Sequence, residues 1–89
     1  MIKTSTTISN KLGLHARASA KLTKLAGSFA CEVWMAKGDR RVNAKSIMGV
    51  MMLAAGLGSA VEVETDGADE QQAMDAILAL INDKFGEGE

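Results

Sequence analysis

Cysteine, histidine and aromatic residues are scarce in this 89-residue chain, and their scarcity excludes several functions. The single cysteine cannot form an internal disulfide, and one histidine with one cysteine makes no cluster of metal ligands, so we expect neither a metal nor another cofactor. Cys31 falls in an apparent strand without a neighbouring base, which favours a place in the core. One tryptophan, two phenylalanines and no tyrosine are too few for a nucleic-acid stacking platform.

Net charge is also small. Ten basic and eleven acidic side chains leave −1 at pH 7, so no overall attraction to nucleic acid or to an anionic membrane is expected. The chain has no long unbroken apolar run, and we expect no signal peptide. The lone cysteine suits a reducing compartment. We therefore expect one cytoplasmic, monomeric domain over residues 1–89, without membrane insertion and with 86–89 as a flexible tail.

Hydrophobic periodicity and turn residues predict the element order β-α-β-β-α-β-α. The predicted strands are Met1–Ile8, Phe29–Lys37, Arg40–Asn43 and Ala60–Thr65. The predicted helices are Ala16–Ala26, a short helix from Ile47 to about Ala54, and Asp69–Phe85. Strands with one apolar face each, and helices to cover them, indicate an α+β fold, a two-layer open-faced sandwich with a mainly antiparallel sheet.

The only histidine stands at the start of the first predicted helix, after a loop marked by Gly13. No Ser, Thr, Asp or Asn directly precedes this helix, so the amides of Ala16, Arg17 and Ala18 lack the usual side-chain acceptor. Neutral imidazole is a nucleophile near pH 7, and an arginine supplies planar donors that match a phosphoryl group. The pattern predicts that His15 accepts a phosphoryl group, which then caps the open helix start.

Two segments resemble the motifs of one known family. Gly13-Leu-His15-Ala-Arg17-Ala-Ser-Ala is similar to the phosphohistidine motif of HPr, the histidine-containing phosphocarrier of the bacterial phosphoenolpyruvate-dependent sugar phosphotransferase system. Lys45-Ser46-Ile-Met-Gly-Val-Met-Met-Leu-Ala resembles the family's second motif, around its regulatory serine. Ala18 stands where the family usually has proline, and alanine retains a backbone N–H that proline lacks.

The resemblance implies a four-stranded antiparallel sheet in the order 1-4-2-3, covered by three helices, and a carrier rather than an enzyme. It implies that His15 accepts a phosphoryl group from enzyme I, on Nδ1 by the family's pattern, and passes it to an enzyme IIA domain while Arg17 stabilises the charge. The residue type and position of Ser46 predict, before any regulatory role, that it is a helix N-cap. The resemblance adds that an HPr kinase/phosphorylase phosphorylates it, which disfavours docking of enzyme I.

Methionine is frequent, with six in the chain, four of them in its middle third. We expect Met35 to fill the core, and Met51 to do so in part because it shares a helical stripe with Ile47. Met48 and Met52 lie on another side of the short helix, where adaptable apolar side chains suit docking to several partners. The resemblance places this surface around His15, and the expected partner-binding residues are Ala20, Lys24, Ile47, Met48, Met51 and Met52.

Two alternatives stay open. A paralogue of the same fold that serves a regulatory, nitrogen-related phosphorelay would share His15. A pure interaction module would instead bind a regulator or transcription factor under the control of Ser46 phosphorylation. Binding by such a module would respond to Ser46 and be indifferent to His15.

Overall fold

The computed structural model describes residues 1–88 and contains the predicted elements in the predicted order. The strands are β1 (Ile2–Thr7), β2 (Glu32–Lys37), β3 (Arg40–Asn43) and β4 (Ala60–Asp66). The helices are α1 (Ala16–Gly27), α2 (Ile47–Met52) and α3 (Glu70–Asn82), and a short 3-10 turn follows at Lys84–Gly86.

The four strands form one antiparallel sheet in the order β1-β4-β2-β3, which confirms the fold class and the strand order. Val63 in the central strand β4 is paired with Thr4 on one side and with Met35 on the other. Because side chains alternate along a strand, this register turns Val33, Met35, Val61 and Val63 towards the buried face. The helices cover that face, and the opposite face is open.

One hydrophobic core lies between the sheet and the helices. α3 packs against β1 and β4, α2 packs against β3, and α1 packs against both other helices. Met35 and Cys31 lie in this core, as predicted, at 1% and 4% exposure. The largest fully buried apolar side chains are Phe85, Ile8, Leu22, Met35, Met74, Ile77, Ile81, Val33, Val50 and Val63. Among residues 1–88, no helix combines the length and apolarity needed to cross a membrane.

The second strand is shorter than predicted, beginning at Glu32 and not at Phe29. The amides of Ala30 and Cys31 do not join the sheet there. Each donates to the carboxylate of Asp69, at 2.9 Å. Asp69 is the N-cap residue of α3 but makes no capping bond with its side chain, because that side chain anchors the approach to β2. The other strand and helix boundaries outside α3 agree with the prediction to within two residues.

The chain after α3 also differs from the prediction. α3 ends at Asn82 and not at Phe85, because Lys84 and Phe85 adopt left-handed conformations with φ of 56° and 55°. This reversal buries Phe85 completely. Within residues 86–88, part of the tail that the sequence predicts as flexible, Glu87 Oε1 accepts a hydrogen bond from Asn10 in the loop before α1. Residue 89, the last of that predicted tail, lies outside the described residues.

Candidate functional site

His15 stands at the N-cap position of α1 with an extended backbone, and no side chain caps the helix start. The first hydrogen bond of the helix runs from Ser19 N to His15 O at 2.8 Å. The amides of Ala16, Arg17 and Ala18 therefore have no acceptor within the helix. Such a helix end offers donors and partial positive charge, the combination that suits an anion.

Gly13 fixes the loop that delivers His15. It has a φ of +65°, and a Cβ at this position would lie 2.5 Å from Ala55 O. With no side chain in the way, Leu14 N donates to Ala55 O at 2.8 Å. This bond joins the loop before α1 to the segment that follows α2, so the histidine and the second helix are held at a fixed separation.

An open cavity of about 830 Å³ lies in front of the histidine. Its lining residues are Lys11, Leu12, His15, Ala16, Arg17, Lys21, Gly86 and Glu87. The structure thus brings His15, Ala16 and Arg17 to one cavity, while Ala18 is fully buried behind them. The lining contains three basic side chains and one carboxylate, so its charge favours a phosphate group.

Glu87 is the residue at this site that sequence reasoning missed. One carboxylate oxygen lies against His15 Nε2, and the other accepts a hydrogen bond from Asn10 Nδ2 at 2.9 Å. These bonds, the one from Asn10 first, lower the pKa of Glu87, so the carboxylate is ionised at neutral pH. No local pattern links residues 72 positions apart. The one sequence feature that pointed to a packed C-terminal segment was Phe85, because a frayed end would leave this large apolar side chain exposed.

Ser46 is the N-cap residue of α2, as predicted, and its Oγ accepts a hydrogen bond from Gly49 N at 3.2 Å. The residue itself is exposed. This exposed serine therefore stands at the beginning of the short helix that carries the predicted docking residues.

Exposed apolar side chains form the outer surface of α2. Ile47, Met48, Met51 and Met52 are 40%, 68%, 41% and 59% exposed. The expectation that Ile47 and Met51 mark an inward stripe is wrong, since Val50 is the buried residue of this helix. Ala20 and Lys24 are exposed on α1, and Lys24 also lines a shallow cavity beside Leu80 of α3.

Comparisons with known proteins agree over the whole chain. The family model described as the PTS HPr component phosphorylation site matches residues 2–83. A phosphocarrier protein HPr from Cupriavidus necator is 70% identical over 89 residues, which is 100% of both chains. The crystal structure of HPr-C-His from Thermoanaerobacter tengcongensis is similar with a TM-score of 0.95 at 42% identity, covering 98% of each chain. A phosphocarrier protein NPr from Shewanella violacea is 44% identical over 81 residues, 91% of this chain and 89% of that protein.

Proposed function

The chain belongs to the HPr family of phosphocarriers of the phosphotransferase system, and on that premise we propose that His15 accepts a phosphoryl group from enzyme I and passes it to enzyme IIA domains. The observation that carries the proposal is the position of the only histidine, at a helix start without a side-chain cap that faces a cavity lined by three basic side chains. A phosphate on this residue would accept hydrogen bonds from the uncapped amides at the start of α1.

The transfer needs an in-line approach and stabilisation of the charge on the phosphoryl oxygens. The lone pair of His15 Nδ1 forms the new bond to phosphorus while the bond from phosphorus to the donor breaks. Support for Nδ1 comes from the contact of Nε2 with Glu87, which engages the other ring nitrogen. Arg17 and the amides of Ala16 and Ala18 supply the donors that stabilise the transferred group.

The protein acts in this proposal as a carrier between partner enzymes rather than as an enzyme. Its docking surface is the exposed apolar side of α2, with Ala20 and Lys24 of α1 contributing at its margin. Methionine side chains re-pack readily, which suits one surface that must meet enzyme I and several enzyme IIA domains in turn. The expected compartment is the cytoplasm, and the expected state is a monomer.

Ser46 provides a regulatory site in the same proposal. The exposed hydroxyl begins the helix that presents Met48 and Met51, so a phosphate there would put charge beside an apolar docking surface. Modification by an HPr kinase/phosphorylase would therefore weaken docking of enzyme I without altering the chemistry of His15.

The nitrogen-related alternative shares the fold and the acceptor histidine. The sugar branch is favoured because a relative named HPr is 70% identical, whereas the relative named NPr is 44% identical. Presenting the chain separately to enzyme I of each branch discriminates between them: faster acceptance from the sugar-branch enzyme supports the proposal.

The proposal is tested by incubating the protein with phosphoenolpyruvate and enzyme I, then locating the acid-labile phosphate by mass spectrometry. We expect one phosphoryl group on His15, and none on a folded His15→Ala variant. A circular dichroism spectrum like that of the wild type is the control for folding. Labelling of His15→Ala at a rate near wild type would refute the assignment and favour another acceptor. An interaction module would show no transfer from either protein.

A further inference from the structure

Three of the six methionines belong to the short helix α2, and all three are exposed. We propose that Met48, Met51 and Met52 form a reversible oxidation site, at which a peroxide converts the thioethers to sulfoxides and thereby weakens docking of enzyme I. This inference rests on the proposed function, because it adds a redox control to the surface that docks the phosphoryl donor.

The packing of α2 leaves its methionines accessible to a dissolved oxidant. Val50 is the buried residue of the helix, and Gly49 lies so close to β3 that a Cβ there would be 3.3 Å from Val42 Cβ. The side that contains Gly49 and Val50 therefore faces the domain. Met48 and Met52, which are 68% and 59% exposed, share another face because they are four residues apart.

The other sulfur atoms are protected, apart from that of Met1. Met35 and Met74 are 1% and 2% exposed. Cys31 is also buried, and burial raises the pKa of its thiol, so little of the readily oxidised thiolate forms at neutral pH. A peroxide in solution therefore meets the methionines of α2 and the N-terminal methionine before it meets the core.

The chemistry needs only the peroxide. The Sδ lone pair of methionine attacks one peroxide oxygen, an S–O bond forms as the O–O bond breaks, and the other oxygen leaves as water after proton transfer. The sulfur loses two electrons and the peroxide gains them. Methionine sulfoxide reductases reverse the step: the sulfoxide oxygen leaves as water, and a thiol pair supplies the two electrons and becomes a disulfide.

A sulfoxide changes the property on which docking depends. The thioether is apolar and re-packs readily, whereas the sulfoxide is polar and costs free energy when an interface buries it without a donor. Oxidation alters α2 without adding charge, and His15 is not part of that helix. Affinity for enzyme I should therefore fall, while transfer within the docked complex should keep its rate.

The first test follows the order of oxidation in the folded protein. The full chain is treated with dilute hydrogen peroxide, and the sites that gain oxygen are located by mass spectrometry of proteolytic fragments. Met48, Met51 and Met52 should be oxidised well before Met35 and Met74. In urea-unfolded protein all of them should react at similar rates. Equal rates in the folded protein would overturn the proposal.

The second test measures the KM of enzyme I for this protein before and after oxidation. The KM for the wild type should rise at least about tenfold, since a methionine that no longer buries apolar surface forfeits one or more tenfold steps in affinity. The matched control, Met74→Leu, removes a methionine of the core and should show the same rise. In Met48→Leu/Met51→Leu/Met52→Leu, oxidation should leave the variant's own KM unchanged, although Met1 is still oxidised.

Reversal and a second variant keep the result specific to α2. A methionine sulfoxide reductase with a dithiol should restore the KM of the oxidised wild type. Failure to restore it would assign the loss to another lesion, such as oxidised His15, and would overturn the proposal. If full oxidation changes the circular dichroism spectrum, Met51→Leu/Met52→Leu confines the reaction in α2 to Met48. The KM for that variant should still rise on oxidation, and a constant KM would contradict the proposal.

The two readouts separate this inference from the proposed function. If the unoxidised wild type accepts no phosphoryl group from enzyme I, the proposed function fails, although the order of oxidation still reports whether α2 holds the accessible sulfurs. If the wild type accepts phosphate and its KM does not change once the three methionines are oxidised, the proposed function stands and the oxidation site is refuted. A fall in maximal rate without a change in KM would refute it as well.

Discussion

The ammonium group of Lys21 donates a hydrogen bond to the carbonyl oxygen of Phe85 at 2.6 Å. The two residues are 64 positions apart, one in α1 and the other in the turn that follows α3. This bond ties the C-terminal turn to the helix that begins at His15. Gly86 and Glu87 of this turn consequently line the cavity in front of His15.

Replacing Phe85 with alanine should destabilise the whole domain. The side chain is fully buried, and truncation of a buried phenylalanine costs about 3–5 kcal/mol in the free energy of unfolding. In a domain of this size we expect the midpoint of thermal unfolding to fall by more than about 10 °C. The control is Leu57→Ala, at a side chain that is 62% exposed, which should change the midpoint little. Equal effects of the two variants would contradict the packing described here.

The order of the elements could be predicted from the sequence because long amphipathic segments are unambiguous, whereas the strand order 1-4-2-3 was implied by the resemblance to the HPr family. In α1, Ala18, Leu22 and Ala26 recur at helical spacing and are all fully buried. The buried face of the six-residue helix α2 was harder to predict, since fewer than two turns cannot define an apolar face. Ile47 and Met51 therefore appeared to point inward, whereas the structure exposes them.

The candidate site was only partly predictable for a different reason. His15 and Arg17 lie within three residues of each other, so a local motif was enough to predict them and the structure places both on one cavity. Glu87 reaches the site through a left-handed turn whose backbone angles periodicity does not encode. Long-range contacts of this kind depend on how the folded chain closes, and in this terminal stretch only the large apolar Phe85 hinted at one.

Gly13→Ala should cost more stability than Gly38→Ala, although both glycines have a φ near +60°. Each substitution places a side chain in the left-handed region, which costs about 1–2 kcal/mol. Only at Gly13 would the new Cβ also meet Ala55 O, at 2.5 Å, whereas no atom lies within 4 Å of one at Gly38. Urea unfolding of the two variants measures the difference. Because Gly13 also sets the position of His15, the same variant should accept phosphate more slowly, and equal unfolding midpoints would argue against the close approach.

Asp69 should contribute to a loss of stability in acid. Hydrogen bonds to its carboxylate, the one from the amide of Ala30 first, lower the pKa of Asp69 below its usual 3.8. A carboxyl group with a lower pKa in the folded state stabilises the fold above its unfolded pKa. That contribution is lost as the pH falls through the folded pKa, so the loss begins near pH 4 and continues below it.

The measurement is the free energy of unfolding of Asp69→Asn and wild type at several pH values between about 7 and 2. The variant should be less stable at neutral pH and should lose less stability on acidification. Its curve should keep some slope, because hydrogen bonds also lower the pKa of Glu70 and Glu87. Asp39→Asn removes a charge from an exposed turn and is the matched control. Parallel curves for wild type and Asp69→Asn would contradict the role of the Ala30 bond.

Substitutions at Ser46 should separate its structural role from its proposed regulatory role. Ser46→Ala removes the acceptor for Gly49 N, and loss of an N-cap costs about 1 kcal/mol. Ser46→Asp keeps a carboxylate acceptor at the N-cap, a residue type as good as serine in this position, so stability should be near wild type. The stability order from urea unfolding is therefore wild type and Ser46→Asp together, with Ser46→Ala below them.

Phosphoryl acceptance should follow a different order, with Ser46→Asp below both wild type and Ser46→Ala. The new charge of Ser46→Asp lies beside the exposed Ile47 and Met48. It should therefore raise the KM of enzyme I for this protein several-fold and leave the maximal rate of transfer unchanged. Ser46→Ala adds no charge and should retain the wild-type KM despite its lower stability. If Ser46→Asp accepted phosphate as fast as wild type at every concentration, α2 would be excluded as the surface that docks enzyme I. A fall in maximal rate without a change in KM would instead place the effect at His15, because charge that acts only on docking cannot slow the transfer once the complex has formed.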